Sequence, residues 1–148
     1  MNYLFIVVVY TIFAATIFTF NKLIMETTTL IIRILLGLIL VIFPINALFL
    51  KKFSPKMPVK AQLIMDTFRD TGYLLYLIQW TELVIGISLL TGFFVPLSLI
   101  ILLPISINIL LFHIYLAPPV VGPGLIIFAM NIFLLISYKA SYLNLFQI

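Results

Sequence analysis

The stretch YLLYLIQWTELVIGISLL, residues 73–90, decides the fold. A helix needs about 20 apolar residues to cross the hydrocarbon core of a bilayer. This segment approaches that length with one formal charge, Glu82, and one amide, Gln79. Gly72 precedes it and Gly92 follows, so the run has marked ends. The rest of the 148 residues has the same character: 65% are hydrophobic and 8% charged. Soluble domains average about 45–50% apolar and about 25% charged. A soluble fold could not cover this much apolar surface, so the chain is read as an integral membrane protein.

Working outward from that helix, four more segments have spanning character. Residues 3–20 carry no charge and no proline, and no basic leader or small-x-small cleavage site flanks them. They read as a retained N-terminal helix. Leu30–Leu50 is the next, with METTT before it supplying Thr N-caps and Glu26 near the helix start. Arg33 lies one turn inside, and Pro44 should kink the far end. Phe93 to about Leu116 follows the 73–90 helix, with Pro104 inside it and Pro118–Pro119 ending it. Leu125 to about Tyr138 is the last, with Asn131 inside and APPVVGPG read as the loop before it. The expected fold is therefore all-α and transmembrane. It comprises one additional N-terminal helix (residues 1–22) and a four-helix membrane bundle (residues 28–148).

The polar segment at 51–72, KKFSPKMPVKAQLIMDTFRDTG, has its own pattern. Pro55 and Pro58 break the helix. From Ala61, residues Ala61, Ile64, Met65 and Phe68 share one helical face, with Gln62, Asp66, Arg69 and Asp70 opposite. That predicts a short amphipathic helix on the membrane surface. Lys51, Lys52, Lys56, Lys60 and Arg69 face Lys22, Arg33 and Lys139 on the other side. By the positive-inside rule the 51–72 segment and the N-terminus are cytoplasmic, in a multi-pass protein of the cell membrane. Anionic headgroups, or a partner, are the expected contacts of the five basic residues.

The composition also excludes chemistry. With no cysteine and one histidine, the chain has no disulfide, iron–sulfur cluster, thiolate metal site or bis-histidine haem of its own. There are too few His, Asp and Glu residues for a metal site or a triad, and no phosphate loop. The net charge of +4 sits mainly in one loop and is no nucleic-acid signature. Any redox carrier must be a bound small molecule or belong to a partner.

Three polar residues from three predicted helices then share one depth. Counted from the 51–72 side at 1.5 Å per residue, Glu82 lies roughly 13 Å deep, Asn108 roughly 12 Å and Asn131 roughly 11 Å. Asn46 and His113 form a shallower layer at roughly 5–6 Å. A carboxyl group near the bilayer centre is costly, so Glu82 should face the interior and find partners. Asn108 and Asn131 can donate to it. Arg33 starts near the opposite face and is a poor partner. Each residue has a plain structural reading as well: interhelical glue for the amides, a helix-end group for His113, close packing for Gly37 and Gly86.

In order and spacing, several pieces resemble the DoxX-like family of small membrane proteins. They are RILLGLILVIF (33–43), FSPKMP (53–58), the Thr71–Pro104 run with Glu82, Gly92 and Pro96, and INILLFHIYLAP (107–118) with Asn108 and His113. The resemblance implies a four-helix bundle and carries over Glu82, Asn108, His113 and Arg33 as candidate positions. It also implies association with quinone-linked redox systems or soluble oxidoreductases, and a distant relative looks like a cargo receptor. The chain departs from the family in its extra N-terminal helix, in FPINALFLKKF (43–53), and in Asn131, where relatives look acidic.

The leading expectation is an accessory membrane subunit of a redox system, with a quinone at the Glu82, Asn108 and Asn131 layer. The alternative is a scaffold or receptor that holds a soluble partner or another membrane subunit through the 51–72 segment. A small transporter ranks below both, because Pro104 is one helix break without a repeat to match it.

Overall fold

The sequence has no glycine or proline before Gly37, and its first helix runs unbroken through that whole region. In the computed structural model, which describes residues 3–50, 52 and 57–143, helix α1 spans Tyr3–Ile45. A one-turn π-helix at Asn46–Leu50 follows two residues after Pro44, whose missing N–H withholds a hydrogen bond from the preceding turn. The remaining helices are α2 (Val59–Asp70), α3 (Leu74–Thr91), α4 (Val95–Tyr115), α5 (Val121–Ser137) and α6 (Lys139–Leu143). There is no strand among the described residues.

Four stretches among the described residues are long and apolar enough to cross a membrane: Phe13–Leu50, Leu74–Thr91, Val95–Tyr115 and Pro118–Ser137. The protein is an all-α, multi-pass membrane protein. The count corrects the expected five spans. Residues 21–29, read as a break capped by threonines, are helical. Their polarity does not interrupt the backbone ladder. Lys22 and Glu26 approach to 3.9 Å one turn apart, and just upstream the Thr19 hydroxyl donates back to the Ala15 carbonyl at 2.8 Å. The cytoplasmic assignment of the N-terminus rested on a turn there and loses that basis.

The chain divides into two compact units, Met1–Ile31 and Ile32–Ile148. The first is helix from Tyr3, and the side chains of Phe13, Ile17, Phe18 and Phe20 are exposed. The second unit has one core, made of Leu36, Leu40, Ile85, Leu89, Val95, Leu99, Leu102 and Leu134. Helices α1 and α3 meet there through glycine. A Cβ on Gly86 would lie 2.9 Å from the Leu40 backbone and 3.0 Å from the Gly37 carbonyl oxygen. The two helices therefore touch backbone to backbone, the small-residue approach that membrane helices use in place of a hydrophobic driving force. Helices α4 and α5 have the most extensive mutual packing.

The turns follow local chemistry. Pro58 takes an extended conformation and starts α2. Ala61 is buried and Ile64, Met65 and Phe68 are half-buried, while Gln62, Arg69 and Asp70 are exposed, as the amphipathic pattern requires. Gly72, at φ 77°, ends that segment, and Gly92, at φ 84°, ends α3. In the α3–α4 turn, Ser98 Oγ donates to Ser88 Oγ at 2.7 Å, and Ser88 Oγ donates to the Phe93 carbonyl. The expected APPVVGPG loop is shorter than read. Pro118–Val120 is a 3₁₀ turn and α5 starts at Val121. Pro123 is tolerated because it sits in the first helical turn, where an N–H would have no helical partner.

Candidate functional site

Helix α3 carries Gln79, Glu82 and Gly86 at helical spacing, and the last two are buried. Glu82 is 8% exposed. Among the described residues no group hydrogen-bonds its carboxyl, and Arg33 is not its ion-pair partner. The Gln79 Oε1 atom, one turn away, is buried and equally without a partner. Two polar side chains on one turn of a membrane helix thus offer hydrogen-bonding groups that the described protein does not use.

Asn131 on α5 is fully buried. Its Nδ2 donates to Ser106 Oγ on α4 at 3.0 Å, and Ser106 Oγ donates to the Leu103 carbonyl at 2.9 Å. Among the described residues the Asn131 Oδ1 atom has no hydrogen-bond partner. The residue that meets Asn131 is therefore Ser106, which the sequence reading passed over. Asn108 is exposed on the outside of α4. At about 100° per residue, positions 106 and 108 lie about 200° apart on the helix, so only one of them can face α5. The nearby small hydroxyl was the missed signal.

His113, on the last turn of α4, is half-buried. Its Nδ1 lies 2.7 Å from the Ile109 carbonyl and donates to it. A Cβ on Gly124 would come within 2.9 Å of Nδ1, so α5 closes over the imidazole. The Phe112 ring lies edge-on at 5.7 Å. These contacts describe a packed side chain that fastens α4 to the start of α5. Asn46 sits half-buried on the π turn and is engaged in an interaction. Beside it on the same turn, Phe49 meets Trp80 of α3 edge-on at 6.0 Å.

Arg33 lies at the other end of the bundle. Its Nη1 donates to the Tyr138 hydroxyl at 3.4 Å, and its Nε is buried without a hydrogen-bond partner among the described residues. Gly92 leaves room for the guanidinium: a Cβ there would be 3.3 Å from Nη1. Tyr142 donates to the Pro96 carbonyl at 3.3 Å. Burial, and then the neighbouring Tyr138, push the Tyr142 hydroxyl above the ordinary tyrosine range, so it remains a donor. Tyr138 is thus the partner of Arg33.

On the basic side, Lys52, Lys60 and Arg69 are exposed. Arg69 pairs with Asp66 at 2.6 Å. Lys51 and Lys56 lie outside the described residues. Among the described residues, no cluster of three His, Cys, Asp or Glu side chains could hold a metal ion.

Comparison with known proteins adds one match. The family model described as DoxX covers residues 28–114, more than half of the chain. No curated protein matches, and no solved structure matches.

Proposed function

The chain belongs to the DoxX family, and on that premise we propose that it is an accessory membrane subunit whose α3 binds a lipid-soluble, carbonyl-bearing redox carrier of the quinone class. The observation that carries this reading is the Glu82 carboxyl, buried in a membrane span with no hydrogen-bond partner among the described residues. An ionisable group at that depth costs several kcal/mol unless something pairs with it. In its neutral form a carboxyl donates one hydrogen bond, and a quinone carbonyl accepts one. Such a bond favours the charge that develops on the carbonyl oxygen during reduction. Gln79, one turn away, has donors for a second contact. The carrier supplies the electron chemistry that a chain without cysteine cannot, and a soluble or membrane oxidoreductase partner completes the system. In this reading the basic 51–72 segment faces the cytoplasm.

The test is bound quinone. Protein purified in mild detergent is extracted and its quinone quantified by mass spectrometry, beside Glu82→Gln and Glu82→Leu. Near-stoichiometric quinone in the native protein, lost in Glu82→Leu, is the expected result. Retention in Glu82→Gln would assign the role to hydrogen bonding rather than proton exchange. Absence of quinone from the native protein, or equal content in all three, would overturn the reading.

A further inference from the structure

Asn108 is an amide on the lipid-facing side of a membrane helix. It is the fourteenth of the 21 residues of α4, near the middle of the span. Among the described residues no group hydrogen-bonds its side chain. Hydrocarbon offers it nothing, since lipid tails neither donate nor accept.

Its neighbours show what covers it. Leu97, Ile101, Pro104, Asn108, Leu111 and Tyr115 are all exposed. They recur at spacings of four, three, four, three and four residues. At about 100° per residue they fall within an arc of about 80° on α4. That is a heptad seam, the pattern along which two helices supercoil. It contains no charge, and its one strongly polar position lies in its middle.

We infer that this seam is a homodimer interface in which Asn108 pairs with Asn108 of a second copy across a two-fold axis along the membrane normal. Three properties select a second copy. Copies inserted in the same orientation hold Asn108 at the same depth. An amide carries both donors and an acceptor, so two of them satisfy each other reciprocally. A two-fold interface brings the same patch together with itself, and a mid-seam asparagine fixes the register of such a pair.

The absence of cysteine makes the test direct, because any cysteine introduced is unique. The full chain is reconstituted in lipid vesicles with Leu111→Cys on the seam, or Val84→Cys on the exposed face of α3 as control, and oxidised. Cross-linked dimer is expected for Leu111→Cys and not for Val84→Cys. Dimerisation measured by fluorescence energy transfer should weaken about three- to twentyfold in Asn108→Leu and be kept in Asn108→Gln. Because Asn108 is exposed and no group among the described residues hydrogen-bonds its side chain, Asn108→Leu should leave the unfolding transition of the monomer unchanged. Equal cross-linking at both positions, no effect of Asn108→Leu, or a monomer at every protein-to-lipid ratio would overturn the inference. None of these outcomes depends on quinone binding at Glu82.

Discussion

At Gly86 one methyl group is enough to separate two helices. A Cβ there would meet the Leu40 backbone, the Gly37 carbonyl and Val41 Cγ2, all at 3.0 Å or less. Backbone cannot move aside as a side chain can. At Gly37 the nearest atoms belong to the flexible Leu90 side chain at 3.0 Å, with the Gly86 carbonyl at 3.2 Å. Gly86→Ala should therefore destabilise by about 1–3 kcal/mol, the usual cost of overpacking, and Gly37→Ala by less. Unfolding in detergent, followed by heat or denaturant, checks the order; equal losses would contradict the packing described. Both glycines were legible in the sequence as close-packing positions, because a glycine in a membrane helix has few other uses. Glu82 and Asn131 were legible as buried for the same kind of reason: no polar group sits cheaply in hydrocarbon. Asn108 was not, because residue type alone does not say which side of α4 faces α5. The facing residue turned out to be Ser106, whose hydroxyl is small enough to pass unnoticed among isoleucines.

At the scale of elements, α3, α4 and the amphipathic α2 follow from periodicity and from their glycine and proline ends, and they match the sequence reading within two residues. Where the reading failed, it treated polarity as a boundary. Asn21–Thr29 looks like a loop between two spans, yet helical hydrogen bonding needs neither apolar side chains nor a bilayer. Glycine and proline are the strongest helix stops, and this segment has neither. The Pro123 start of α5 was misjudged in the opposite direction: a proline was taken to prolong a loop when it occupied a first turn. A continuous α1 has a measurable consequence. Amide hydrogens of Met25–Thr29 should exchange with solvent as slowly as those of a helix, in micelles and in vesicles. Exchange at the rate of an exposed loop would show a break at that point and restore two separate spans.

Across the unit formed by Ile32–Ile148, charge is divided by side. Arg33 and Lys139 stand at the end where Gly92 and Tyr138 lie, and Lys52, Lys60 and Arg69 stand at the other end, in a segment whose sequence also holds Lys51 and Lys56. Five against two within one unit is a stronger asymmetry than five against three over the chain. The Arg33 guanidinium is also held by Tyr138 rather than offered to lipid. Short basic loops stay on the cytoplasmic side during insertion, so the α3–α4 turn should face outward. Single cysteines at Lys60 and Phe93, both exposed, report this in intact cells. A membrane-impermeant maleimide should label Phe93→Cys at once and Lys60→Cys only after permeabilisation. The reverse pattern would invert the bundle and move the basic segment away from the cytoplasm. His113 and the closed contact of α4 with Gly124 would then lie at the outer surface.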